Sequence, residues 1–254
     1  MWGSIIGDLA GSIYEYSQIK EVSPIVVDEL IKDESFYSDD TILTVAVLDA
    51  ILNDQDYCKY LKEYGKRFIS YRPDVTPYFK TSFSPGFIKW LKSDEVGCSM
   101  GNGAMMRIAP VGFMFDDLEK VREESEKVTS PSHNTSESIK CSQTIASIIY
   151  LARKGYSKEE IIDLLDLNIS FNPFTKFNYT CGDTIGNCLY AVFSTDSFES
   201  ALREVILYGG DTDTNACIVG GMAEAFYGVD QSLVDMAKEK IPKEFVKVLE
   251  KAYK

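Results

Sequence analysis

Ser38-Asp39-Asp40-Thr41-Ile42-Leu43-Thr44-Val45-Ala46-Val47-Leu48-Asp49-Ala50-Ile51-Leu52 decides how the rest of the chain is read. From Thr41 onward the run is strongly apolar, and it opens on a serine and two acids. That pattern predicts a buried helix with Ser38 at its N-cap and carboxylates in the first turn, where they complement the helix dipole. Similar signals recur along the chain. Asn134 to Arg153 places Ile139, Thr144, Ile145, Ile148, Ile149 and Ala152 near helical spacing. Asn134 with Glu137 predicts a cap and its reciprocal partner, and Ser157 with Glu160 predicts another before Ile161-Ile162 and Leu164-Leu165. Ser197 opens a helical run that stops at Gly209-Gly210. A further helix runs from Asp213 to Tyr227 and stops at Gly228, and Pro242 suits the first position of a last helix. Ser23 to Ile31 admits loop or strand. Hairpin dipeptides between alternating runs are missing. The chain reads as all-α, in roughly a dozen helices.

With 254 residues, one domain over 1–254 is expected, long enough to bury a sizeable core. The apolar share of 45% and charged share of 26% are those of an ordinary globular protein. Apolar runs such as Ile145 to Ala152 are too short for a membrane span, and Met1-Trp2-Gly3-Ser4 does not read as a secretion signal. A cytoplasmic monomer with no membrane partner is therefore expected. The six cysteines have no C-x-x-C spacing and read as reduced, mostly buried thiols, with a disulfide framework as the weaker reading.

The formal net charge of −13 disfavours long nucleic acid and anionic membranes as partners. A phosphate-bearing ligand would need local positive charge, which a divalent cation held by carboxylates supplies. His133 is the single histidine, which excludes H-E-x-x-H zinc hydrolases and makes a zinc site improbable.

Two acidic clusters stand out, each before a helix. Taken alone, Ser38-Asp39-Asp40-Thr41 reads as simple capping ahead of metal binding. In Gly209-Gly210-Asp211-Thr212-Asp213-Thr214-Asn215, carboxylates at i and i+2 with a hydroxyl at i+3 offer hard oxygen ligands on one turn, and helix capping explains them equally well. An EF-hand loop would need Gly and Glu where Ala216 and Met222 stand. If the two clusters converge, four carboxylates and two hydroxyls suffice for two octahedral ions that keep some water. Gly101-Asn102-Gly103-Ala104-Met105-Met106-Arg107 is a glycine-rich turn into a helix; it suits phosphate oxygens or a purely structural turn. In Gly7-Asp8-Leu9-Ala10-Gly11-Ser12-Ile13-Tyr14-Glu15, a cap at Asp8 and a solvated Glu15 are favoured over a functional role for either. His133-Asn134 reads as a cap, a surface pair or a ligand contact.

Taken together, G-S-I-I-G-D-L-A-G-S-I-Y-E, S-D-D-T-I-L-T-V-A-V, G-N-G-A-M-M-R-I-A-P-V-G and Y-G-G-D-T-D-T-N-A resemble the ADP-ribosylglycohydrolase family, in the family's order. The resemblance implies an orthogonal multi-helix bundle with two Mg²⁺ ions, sometimes Mn²⁺, at the bottom of a cleft. It implies Ser38, Asp39, Asp40, Asp211, Asp213 and Thr214 as metal ligands, with Ser38 standing where many relatives have Thr. It places Gly101, Asn102, Gly103, Ala104 and Met105 at the ligand's diphosphate, and His133 near the ligand. Glu15, in its Y-E context, matches a glutamate on a flap over the metals in the serine-directed branch. Asp39, Asp40 and Glu15 are the implied catalytic groups. Ser132-His133-Asn134-Thr135-Ser136-Glu137 departs from the H-N-H-P-E-G of similar short members by lacking the second His.

The implied activity is Mg²⁺-dependent hydrolysis of the bond between ADP-ribose and a serine- or arginine-type acceptor on a protein. Cleavage of a small ADP-ribosyl conjugate or modified nucleotide is the alternative. A non-catalytic relative would tend to lose acidic ligands, and all four aspartates are present here.

Overall fold

Ser38, Asp56, Ser84, Asp117, Thr135, Ser157, Thr180 and Ser197 each cap a helix with a side-chain oxygen, satisfying a backbone N–H that has no intrahelical partner. The structure is a computed structural model and describes residues 1–15, 26–73, 81–174 and 176–253. In chain order its first helices are α1 (Trp2–Gly11), α2 (Asp39–Leu52), α3 (Tyr57–Arg67), α4 (Pro85–Leu91) and α5 (Gly103–Met106). Then come α6 (Ala109–Met114), α7 (Leu118–His133), α8 (Ser136–Arg153), α9 (Lys158–Leu165) and α10 (Cys181–Phe193). The last are α11 (Phe198–Leu207), α12 (Thr212–Tyr227), α13 (Gln231–Lys240) and α14 (Lys243–Lys251). Among the described residues there are no strands, only isolated bridges joining Cys98 to His133 and Gly101 to Thr180. The fold is an all-α multi-helix bundle, as the sequence led us to expect.

The apolar α2 lies in the centre, with Thr41 to Leu48 all buried. A helix that is apolar on every side has to be enclosed. Its neighbours include α1, α3, α6 and α14. One core cluster runs through Ile5, Leu43, Ile149, Val219 and Phe245. Each such fully buried aliphatic or aromatic side chain contributes about 1.5–3 kcal/mol.

The most intimate pair is α1 against α12. Glycines recur every four residues on α1, at Gly3, Gly7 and Gly11, and so share one face. They meet Gly220, Ala216 and Thr212, also spaced by four and running antiparallel. A Cβ built at Gly7 would lie 2.0 Å from the Ala216 carbonyl oxygen; at Gly3 and Gly11 the distances are 2.2 Å to the oxygens of Gly220 and Thr212. The helices touch backbone to backbone, which only glycine permits. This contact brings the C-terminal end of α1 against the N-terminal end of α12, where the acidic loop lies.

Several sequence expectations need adjusting. The cap of α8 is Thr135, bonded to the Ser138 N–H, because Asn134 is instead drawn to Gly97 as the C-cap of α7. Ser157 and Glu160 do form a reciprocal box. Pro242 is the N-cap of α14, one residue before its first turn. α12 begins at Thr212, and Gly228 ends it at φ +72°. Of Ser23 to Ile31, the described part carries no strand, and residues 23–25 lie outside the described residues. Cys141, Cys181, Cys188 and Cys217 are buried, Cys58 is half-buried and Cys98 exposed, all as free thiols. No described helix is long and apolar enough to cross a membrane.

Candidate functional site

Asp8, read from sequence as a helix cap, is neither a cap nor solvated. It sits within α1, fully buried, and reaches across to the start of α2. Its Oδ2 accepts the backbone N–H of Ser38 (2.9 Å) and Thr41 (3.0 Å) and the Thr41 hydroxyl (2.5 Å). Its Oδ1 accepts the Ser38 hydroxyl (2.8 Å). Four donors on one carboxylate pin the first acidic cluster to α1. Burial outweighs them, and the Asp8 pKa stands above its ordinary value.

The two acidic clusters converge. Oxygens of Asp8, Asp40 and Asp213 lie within 4.8 Å of one another, and so do oxygens of Glu15, Asp211 and Asp213. Asp213 belongs to both trios. Glu15, expected to be solvated on its own sequence, is only 7% exposed. Hydroxyls close the arrangement: Thr214 donates to Asp40 Oδ2 (3.2 Å), and the Ser38 Oγ lies 3.1 Å from the same atom. Asp39 is half-buried and faces the open cleft beside these groups.

Burial raises the pKa of Asp39, Asp40 and Asp213, and neighbouring carboxylates add to the effect. Asp211 is pushed up to about 7, chiefly by burial. So many acids cannot all ionise together without a compensating cation or protons. Asp40 Oδ1 is buried with no hydrogen-bond partner among the described residues. An open carboxylate oxygen amid carboxylates and hydroxyls is what a hard divalent cation requires.

A stability consequence follows. Acids whose folded pKa is raised stabilise the fold when protonated and destabilise it as they ionise. The metal-free protein is therefore expected to lose stability as pH rises from about 5 to 8, through the titration of Asp211 near 7. His133, whose pKa burial lowers, acts in the opposite direction but is one group against several. Melting in EDTA at both ends of that window checks the slope, and excess Mg²⁺ should flatten it.

Above the acids lies a cleft of about 620 Å³. Residues 81–87 form one wall; the glycine turn, His133 and Tyr179-Thr180 form others. Gly101, Asn102 and Gly103 line it, and Asn102 Nδ2 donates to Asp211 Oδ2 at 2.7 Å, tying the turn to the second cluster. Ala104 and Met105 do not line it. Their side chains are 0% and 1% exposed in the core, and their N–H groups bond to the Gly101 and Asn102 carbonyls. The short α5 points their side chains into the core. His133 is 5% exposed and faces the turn.

With this geometry in view, a comparison of the chain with known families is decisive: the model of the ADP-ribosylglycohydrolases matches residues 1–253. The chain belongs to the ADP-ribosylglycohydrolase family. It is similar to the ADP-ribosylarginine hydrolase Tri1 of Pseudomonas putida (strain GB-1), 28% identical over 144 residues, which are 51% of this chain and 39% of that protein. It is similar along most of its length to the human ADP-ribosylhydrolase ARH3, 22% identical over 306 aligned positions that cover 90% of this chain and 84% of that one. The solved structure of an ADP-ribosylglycohydrolase-related protein complex shares the fold at a TM-score of 0.70 and 18% identity, covering 97% of this chain and 89% of the other. The family is one of hydrolases.

In this member of the family, sequence reading assigned no site role to three residues that the structure brings to the site. Asp8 lies in the quoted G-D-L-A-G, but its role depends on the α1–α12 contact; the glycines every four residues were the available signal. Asn178 is buried in the loop before α10. Its Oδ1 accepts the Asp211 N–H (2.9 Å), and its Nδ2 donates to Thr184 and Asn215 (both 2.8 Å). Gly210, at φ +74°, passes so close that a Cβ there would lie 2.0 Å from Asn178 Oδ1. Nothing local in sequence announces that brace. Arg107 ends the glycine motif, is fully buried, and reaches His133.

Proposed function

We propose that this protein is a Mg²⁺-dependent hydrolase that cleaves the glycosidic bond between ADP-ribose and a modified acceptor, O-linked to serine or N-linked to arginine. The observation that carries the reading is the pair of carboxylate trios sharing Asp213 at the floor of the cleft. In this reading Ser38, Asp39, Asp40, Asp211, Asp213 and Thr214 hold two Mg²⁺ ions, with Mn²⁺ as a substitute. Ions bound there supply Lewis-acid charge to the hydroxyls of the distal ribose and lower the pKa of bound water.

The chain's own groups divide the remaining work. Asp39, half-buried and facing the cleft, accepts the proton of the attacking water. Asp40 is buried and braced by hydroxyls, which suits a fixed ligand better than a mobile base. Positive charge developing on the ribose ring is stabilised by the crowded carboxylates. Glu15, beside Asp211 and Asp213, positions water or the departing acceptor oxygen or nitrogen. The glycine turn at Gly101, Asn102 and Gly103 and the ring of His133 hold the diphosphate. The acceptor is a modified protein or a small ADP-ribosyl conjugate, and the chain acts as a single-domain cytoplasmic monomer.

The test is release of ADP-ribose from Ser-, Arg- and Asp/Glu-linked peptides and from O-acetyl-ADP-ribose, each in Mg²⁺ and in EDTA. Metal-dependent release from the serine- or arginine-linked peptide is expected. Release that persists unchanged in EDTA, or no release from any of the four, contradicts the proposal.

A further inference from the structure

Arg107 poses a problem of charge. It is fully buried in the cleft wall, yet its Nη2 meets only uncharged acceptors: Ser132 Oγ at 2.7 Å, His133 Nδ1 at 3.4 Å and the Val128 carbonyl at 3.4 Å. Its Nε and Nη1 have no partner among the described residues. Burying a cation this way is costly unless its field is used. Burial lowers its pKa only to about 10, so it stays charged at neutral pH.

The Arg107 charge partly offsets the raised pKa of Asp39 and acts on the ring of His133. A guanidinium is donor only. Facing His133 Nδ1 at 3.4 Å, it favours a lone pair over a proton on that nitrogen. Ser132 Oγ accepts from Arg107 and lies 2.7 Å from the same Nδ1, so its hydroxyl proton completes the chain into the ring. The imidazole proton is left on Nε2. Nε2 faces the bare glycines: Cβ atoms built at Gly101 and Gly103 would lie 3.6 and 3.7 Å from it. The ring is also fixed through its backbone, since residues 97–99 pair with the end of α7, and Gly97 passes where a Cβ would lie 2.5 Å from the Ser132 carbonyl oxygen.

We propose that Arg107 and Ser132 lock His133 as a neutral imidazole with its proton on Nε2, making the ring a fixed hydrogen-bond donor to a diphosphate oxygen of the ligand. The identity of the ligand rests on the function proposed above; the lock does not. Arg107 and Ser132 are positioning residues, and Arg107 brings positive potential to the cleft of a chain whose net charge is −13. Burial further favours the neutral ring.

The single histidine makes the test clean, because ¹⁵N-histidine labelling yields one imidazole. Long-range ¹H–¹⁵N correlation at pH 7 should show a bare Nδ1 and a protonated Nε2. Adding ADP-ribose with Mg²⁺ should move Nε2 more than Nδ1. Arg107→Met, which removes a buried charge without leaving an unpaired one, should populate the other tautomer and weaken ADP-ribose binding about tenfold. Ser132→Ala should shift the tautomer in the same direction. His133→Gln, which keeps an N–H at the ε position, should retain most of the affinity, while His133→Asn should not. A proton on Nδ1 in the wild type, or a tautomer unmoved in both Arg107→Met and Ser132→Ala, overturns the lock. An Nε2 unmoved by saturating ADP-ribose overturns the donor role. The expected tautomer with no ADP-ribose binding at all supports the lock and contradicts the proposed function instead.

Discussion

Asp213→Asn is expected to lower kcat/KM for ADP-ribose release by about a thousandfold while raising the melting temperature of the metal-free protein. The two effects have one cause. Asp213 is the carboxylate common to both trios, so on the proposed two-ion reading its loss should weaken the hold on each ion. Asparagine keeps the shape and can still accept the Thr214 N–H that Asp213 Oδ1 accepts at 2.9 Å. In the metal-free protein, however, Asp213 is one of several buried acids that repel one another. Each unit by which its pKa is raised costs about 1.4 kcal/mol when it ionises. Removing that charge should raise melting at pH 8 in EDTA by about 4 °C. In excess Mg²⁺ the order should reverse, because wild type gains binding energy that the variant cannot. Thermal melts in both buffers, beside steady-state kinetics, check the pair of effects. A variant that loses activity and also melts lower without metal would mean that Asp213 is structural.

Gly7→Ala should destabilise the protein by about 3 kcal/mol or more, lowering the melting temperature by roughly 10 °C. In an ordinary helix the same change stabilises by about 1 kcal/mol. The sign reverses here because the added Cβ would lie 2.0 Å from a backbone oxygen of Ala216, which cannot swing aside as a flexible side chain does. The helices must separate, and with them Asp8 and Asp213. Mg²⁺ should therefore stabilise this variant less than wild type. Gly186→Ala, within α10, is the control: its nearest neighbour would be 4.0 Å away, and the change should be neutral or slightly stabilising. Denaturant unfolding of both variants decides the matter.

The fold was largely legible because its signals are local. The apolar run after Thr41 needs no partner to be read as a buried helix, and Ser157 with Glu160 reads as a cap from four residues alone. The acidic clusters were visible for the same reason, since carboxylates and hydroxyls on one turn announce hard-ligand chemistry. What stayed hidden depends on distance in space. Asp8 is one aspartate in a helix until Gly3, Gly7 and Gly11 let α12 approach. Asn178 matters only because Gly210 passes against it. Arg107 reads as the tail of a glycine motif until its burial beside His133 is known. Ala104 and Met105 show the same limit: they sit in the motif that resemblance points to, and only the turn of α5 reveals that their side chains face the core. The choice of Asn134 as a cap failed because two residues competed for the role, and the pairing of 97–99 with α7 had already taken Asn134.

Anomalous scattering from crystals grown with Mn²⁺ should show two manganese peaks at the floor of the cleft, one against Asp40 and Asp213 and one against Asp211 and Asp213, with Asp213 touching both. Manganese found only elsewhere, or a cleft floor without a peak at saturating Mn²⁺, would contradict the two-ion reading.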